Sequence, residues 1–354
     1  PPPPGHHPHP PDEPDEESGM LRRAFMASGS AGMTFATLGV PAPRRGGHLG
    51  GHIGEPEVRA VEEEVRRIRL LDDRHGADGL FRRATEPLRA AYALLDSGHV
   101  TRPALSDRLH AGAGELAISV GWLAHDSGRF EQARSHYAEA LATARVAENP
   151  ALEAHAFCNT AFLANDAGKH REAVRAAQAG SRAAGRLSSL RLLSLLTMRE
   201  AAGWAGLGDR SATAASLAKA HEFFDRGPSD DDPEWMSFFG EPELAWLEAR
   251  CHADLGDWPR AARHAYRATA LQDPRFARNL ALYRVELATS LAKSGSPDEA
   301  AAAGNAALDL LEAVKSSRIQ GMLTATARVL LPQRRVRGVH TFLARSGTGP
   351  ARPL

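Results

Sequence analysis

The chain has 354 residues, with Lys+Arg and Asp+Glu each at 43, so it carries no formal net charge. A chain that gripped nucleic acid with its whole surface would be basic, and neutrality argues against direct DNA binding by these residues. Hydrophobic residues make up 43%, enough for a core, while two cysteines, Cys158 and Cys251, are too few for a disulfide framework or a zinc site and read as small buried hydrophobes.

The chain opens on PPPPGHHPHPPDEPDEESG. Proline continues neither helix nor sheet and the rest is polar or acidic, so residues 1–54 are expected to be a disordered segment and linker. His6, His7 and His9 lack the fixed geometry of a selective metal site. In MLRRAFMASGSAGMTFATLGVPAP, Arg22-Arg23 and Phe25 resemble a twin-arginine export signal, but Ser28, Gly29, Ser30 and Gly32 interrupt the apolar stretch. A cytoplasmic protein is the main expectation, and export through this segment is the alternative. The following RRGGHLGGHIG has no Lys-Ser/Thr ending and no preceding strand, which excludes a phosphate loop. No apolar run is long enough to span a membrane.

Helices are expected from there on, because Ala and Leu recur and β-branched runs are scarce. Pro56 suits a first turn, and Val58, Val61, Val65, Ile68 and Leu71 recur at helical spacing up to Arg74. A second helix is predicted over 78–96 with Gly98 as its stop, and Pro103 opens a third over 104–126. Residues 55–110 are expected to supply N-terminal capping helices.

Residues 111–315 repeat. The stretches GWLAHDSGRFEQARSHYAEAL, AFLANDAGKHREAVRAAQAG, AAGWAGLGDRSATAASLAKA, ARCHADLGDWPRAARHAYRA and ATSLAKSGSPDEAAAAGNAAL share one pattern. Their turn glycines, Gly128, Gly168, Gly208, Gly256 and Gly295, follow one another at spacings of 40, 40, 48 and 39 residues. Seven before each stands a small residue (Gly121, Ala161, Ala201, Ala249, Ala288). Five after come Ala133, Ala173, Thr213, Ala261 and Ala300, and twelve after come Ala140, Gly180, Ala220, Ala268 and Ala307. Small residues let two helices nest, and glycine ends the first of them because it takes a positive φ without steric cost. One such hairpin cannot bury its apolar face alone, so neighbours must stack.

The pattern resembles the tetratricopeptide repeat family, most closely at Gly121, Gly128, Phe130, Ala133, Tyr137, Ala140 and Leu141. The resemblance implies an all-α, right-handed solenoid of about five helix pairs with capping helices. The third repeat departs from it, with Glu200 at an apolar position and Thr213 at an alanine position. From residue 55 to the end, RLLDDRHG, ELAISVGWLAHDSGRFEQARSHYAEAL and DDPEWMSFFGEPEL resemble the sensor half of XRE-class helix-turn-helix regulators from high-GC Gram-positive bacteria. Nothing before residue 55 could form the three-helix DNA-binding domain of that class. The resemblance therefore implies DNA contact only through an upstream or partner helix-turn-helix domain, and a possible homodimer.

In such arrays the first helix of each pair lines a concave groove. Carried onto this chain, the groove positions are Glu115, Trp122, His125 and Asp126, then His155, Phe162, Asn165 and Asp166, then Met198, then Glu243, Trp246, Arg250 and Asp254. The mix suits a peptide, protein or small effector, with Asn and Arg for backbone or carboxylate and aromatics as anchors. Trp122, Asn165 and Arg250 are the expected contacts. The alternative is a free-standing interaction scaffold unrelated to transcription.

The insertion PSDDDPEWMSFFGEPE lengthens the fourth period. Asp230 to Asp232 before Pro233 read as caps rather than a metal cluster, and Trp235, Phe238 and Phe239, at helical spacing, read as core or, alternatively, as a cap on the groove that touches a ligand. No Gly-x-Ser-x-Gly, His-Glu-x-x-His or phosphate loop occurs, so no catalytic site, cofactor or metal is expected. Residues 316–346 should form two capping helices split at Pro332, with Arg334, Arg335 and Arg337 as solvated surface and 347–354 as a disordered tail.

Overall fold

The computed structural model describes residues 53–75, 77–97, 100 and 102–347. The expectations for the N-terminal segment, its histidines, Arg22-Arg23, nearly all of the glycine-rich linker and nearly all of the tail lie outside the described residues. Those described form a tetratricopeptide-like α-solenoid of fourteen α-helices with no strand among them.

Helices α1 (Glu55–His75) and α2 (Phe81–Ser97) precede five hairpins. These are α3 (Pro103–Asp126) with α4 (Phe130–Val146), α5 (Pro150–Asp166) with α6 (His170–Ala184), and α7 (Leu190–Gly206) with α8 (Arg210–Phe224). Then come α9 (Glu241–Asp254) with α10 (Trp258–Leu271) and α11 (Ala277–Ser294) with α12 (Pro297–Leu310). Helices α13 (Ser317–Leu330) and α14 (Arg337–Arg345) follow, separated by a short 3-10 turn at Leu331–Gln333.

The turn glycines explain the punctuation. Gly128, Gly168, Gly208, Gly256 and Gly295 have φ of +74°, +72°, +75°, +73° and +91°. At the first, the Gly128 N–H bonds the His125 carbonyl and the Arg129 N–H bonds the Ala124 carbonyl, a Schellman closure repeated in the other four hairpins. The small residues set helix approach. A Cβ on Gly121 would lie 2.5 Å from the Tyr137 ring, so only glycine lets α3 meet α4 there. Ala133, Ala173, Ala261 and Ala300 are fully buried at the matching places. The aberrant third repeat is accommodated locally. Buried Thr213 donates its hydroxyl to the Asp209 carbonyl, and Glu200 accepts from Gln178 and from the Trp204 indole.

The insertion does not continue a helix. Its residues Glu234–Phe238 form one 3-10 turn, which sends the aromatics in different directions. Met236 and Phe239 enter the core, Phe238 is 40% exposed, and Trp235 reaches the concave face. Of the three acids before Pro233, Asp232 braces the loop by accepting the Ser229 N–H at 2.9 Å and the Ser189 hydroxyl at 2.5 Å. The insertion also spreads the array, so α9 packs on α7 more than on α8.

The first helices of the hairpins, α3, α5, α7, α9 and α11, neighbour one another in turn. Helix α1 packs on both α3 and α11, and α13 packs on α11. The two ends of the solenoid therefore meet. Ser317 at the start of α13 donates to Asp78, which follows α1, at 2.8 Å across 239 residues of sequence.

Candidate functional site

Closure brings the ends of the inner helices face to face. Asp166, the last residue of α5, accepts Arg250 Nη2 of α9 at 2.7 Å and His125 Nε2 of α3 at 3.0 Å, with Arg318 Nη2 of α13 at 3.2 Å. Asp126, the equivalent last residue of α3, accepts Arg278 Nη2 of α11 at 2.5 Å across 152 residues. Trp122 donates its indole N–H to Asp72 of α1 at 2.8 Å. Phe162 sits in the middle, with Trp122 stacked at 5.8 Å and His125 and Trp246 edge-on at 5.2 and 6.1 Å. Three guanidinium groups surround its ring, Arg199 at 4.0 Å, Arg318 at 4.9 Å and Arg250 at 5.4 Å.

The electrostatics follow from burial and pairing. Burial alone would raise the pKa of Asp166, but Arg250, Arg318 and the His125 hydrogen bond overcome it and hold the carboxyl well below its usual range. Asp126 behaves likewise, depressed by Arg278 and Arg318 against the effect of burial. His125 goes the other way: burial pushes its pKa down more than Asp166 lifts it, so the ring is neutral at pH 7. Glu243, Asp254 and Glu286 lie nearby, and burial pushes each of these carboxyls up. Glu243 also accepts the Tyr283 hydroxyl at 2.6 Å.

A second cluster closes one side of the face. Arg69 of α1 pairs with Glu115 of α3, whose carboxylate also bonds His155 Nδ1 of α5 at 2.9 Å. Trp235 from the insertion lies flat on the His155 ring, with centroids 3.6 Å apart and planes 3° from parallel. Desolvation lowers the His155 pKa despite Glu115.

The sequence-predicted residues thus occupy one face, but not an open trough. Trp122, His125, Phe162, Asn165, Trp246 and Arg250 converge on the Asp166 centre, and Glu115 and His155 belong to the second cluster. Met198 is fully buried in the core with Leu195 and Trp246. Asn165 holds the His170 ring at 2.8 Å. Sequence reasoning missed Arg69, Asp72, Arg199, Arg278 and Arg318. Arg278 and Arg318 fall outside the repeat register that located the groove, and Arg69 and Asp72 lie in a capping helix. Only their charge within apolar helical stretches could have marked them.

Chemically the site is built for holding. Among the described residues, no group of three or more His, Cys, Asp or Glu is arranged to hold a metal ion. Both cysteines are buried free thiols whose pKa burial pushes up, which keeps them protonated and unreactive. Between Phe162, Asn165, Arg199 and Arg250 a cavity of about 10 Å³ remains, the space that admits one water-sized occupant. No described helix is long and apolar enough to cross a membrane.

No protein-family model matches the chain, and no curated protein matches it. Several solved structures are similar to it at low sequence identity. The Rap protein complexed with competence and sporulation factor is 14% identical over 82% of this chain and 97% of its own, with a TM-score of 0.47. BtubC from P. vanneervenii is 18% identical over 67% and 91%, with a TM-score of 0.44. The Cut9–Hcn1 hetero-tetramer of APC/C is 17% identical over 84% and 57%, with a TM-score of 0.43. At these identities the likeness is one of fold alone.

Proposed function

We propose that this chain is a tetratricopeptide-type binding module whose concave face is held shut by its own side chains until a peptide, protein or small effector displaces them. One observation carries the reading: the residues in groove positions spend their charges on each other across the solenoid, Asp166 on Arg250 and Arg318, Asp126 on Arg278. Buried ion pairs of this kind contribute little net stability over apolar packing and are better suited to specifying one conformation. A ligand that supplies its own groups to these arginines and to Trp122 and Trp246 would exchange one set of partners for another at small net cost. Binding would then shift the population from closed to open superhelix.

The stretches 69–76, 115–141 and 231–244 support a finer reading, in which the module is the cytoplasmic sensor of an XRE-class transcriptional regulator. DNA contact would come from a helix-turn-helix domain upstream or on a partner, and two copies would pair to match a two-fold operator. The role is binding, without catalysis. The test is capture of partners from a cell lysate by the wild-type chain and by an Asp126→Ala, Asp166→Ala variant, which removes the closing carboxylates and keeps the arginines, judged beside small-angle scattering. An expanded variant that captures a defined partner more strongly supports the reading. An expanded variant that captures nothing the wild type does not would oppose it.

A further inference from the structure

Arg199 of α7 is the buried cation that the closed face leaves without a carboxylate. It is 6% exposed, its Nε has no hydrogen-bond partner, and no acid of the described residues lies within ion-pair distance of it. Burying an uncompensated charge is costly, and lying over the Phe162 ring at 4.0 Å offsets only part of that. The neighbouring charges are already committed. Asp166 divides one negative charge between Arg250 and Arg318, and Asp126 serves Arg278. Glu243, the acid closest in effect to Arg199, is drawn toward its protonated form by burial and bonded to Tyr283, and the Cys158 thiol beside Arg199 is neutral.

The cavity of about 10 Å³ is lined by Arg199 and Arg250, with Phe162, Asn165, Leu247 and two alanines around them. Two arginines therefore border a space that admits one small occupant, and Asn165 is the only other polar residue in its lining. We propose that this space holds a single chloride-sized anion as the counter-ion of Arg199 and Arg250. Water would satisfy the N–H groups there but not the charge. Sulfate, phosphate and carboxylate have too many atoms for the space while the face is closed. The anion fits only the closed arrangement, so halide favours closure and opposes any ligand that opens it.

The experiment is thermal unfolding of the full chain at fixed ionic strength in sodium gluconate, with chloride or bromide replacing gluconate stepwise. The expected result is a saturating rise of about 2 °C or more in Tm with either halide, from linkage to the folded state alone. Arg199→Met, which removes the buried charge, should show no such rise, while Arg199→Lys keeps part of it. Crystals grown in bromide give a reading that depends on no variant: an anomalous peak within hydrogen-bond distance of the Arg199 guanidinium is expected. Equal Tm in halide and gluconate, an undiminished response in Arg199→Met, or a bromide crystal without that peak would each overturn the assignment. None of these outcomes bears on partner capture, so the binding-module reading stands or falls separately.

Discussion

Asp166→Asn is the sharpest perturbation of the closed face. The side chain is 10% exposed and accepts from Arg250, Arg318 and His125 at 2.7, 3.2 and 3.0 Å. The substitution keeps the shape and removes the charge, so two buried guanidinium groups lose their common counter-ion and meet an amide N–H₂. Removing one partner of a buried ion pair costs about 3–5 kcal/mol. For a chain of this size that is a fall of roughly 6–10 °C in Tm. Urea unfolding should show a lower midpoint with an unchanged slope, since the folded surface is the same. Replacing the whole trio, Asp166→Leu with Arg250→Met and Arg318→Met, should lose much less than the single change, because no charge is then left behind. A loss below about 1 kcal/mol for Asp166→Asn, the range of a solvent-screened pair, would refute the picture of a dry closed centre.

Acid should weaken the fold from near pH 6.5 downward. His125 and His155 have folded pKa values below the unfolded value of about 6.5, so the unfolded chain takes up protons first and stability is lost as pH falls through that value. Each contributes at most about 1.4 kcal/mol per pH unit, and Asp126 and Asp166, depressed in the fold, add their loss only below about pH 4. His221, raised by Glu248, and Glu243, Asp254 and Glu286, raised by burial, oppose this, because the folded chain takes up their protons first as pH falls. The imidazole contribution is isolated by comparison: from pH 7 to 5 the urea midpoint of the wild type should fall relative to that of His125→Phe. Trp235→Ala uncovers His155, and NMR titration should find its pKa moved up toward 6.5. Gly168→Ala, at φ +72°, should cost about 1 kcal/mol through backbone strain, read by the urea midpoint. Gly121→Val forces methyl groups against the Tyr137 ring and should cost about 1–3 kcal/mol or more.

The hairpins were legible because their causes are local. Gly128 and its four counterparts must turn the chain with positive φ, and Ala133, Ala173, Ala261 and Ala300 must be small where helices touch. The inward face was legible too, since the repeat register assigned Trp122, His125, Phe162 and Arg250 to one side of successive helices. What fills that face was not. Whether the solenoid stays open depends on curvature summed over every hairpin and on residues far apart in sequence. Asp126 meets Arg278 across 152 residues, and no window of sequence shows it. The insertion misled for a related reason: Trp235, Phe238 and Phe239 fit helical spacing, but Pro233 and the single 3-10 turn send Phe239 inward, leave Phe238 at the surface and lay Trp235 on His155.

The closed face depends on contact between the two ends of the solenoid. It is tested most directly by the spin-label distance between positions 78 and 317, placed through Asp78→Cys and Ser317→Cys and measured by pulsed electron resonance. The buried native thiols of Cys158 and Cys251 should stay unlabelled. A single short, narrow distance is predicted, as expected for sites whose side chains bond at 2.8 Å, and it should broaden when Arg278→Ala removes the buried pair with Asp126. A broad distribution at long distance in the unmodified background would mean an open array, and would contradict the account.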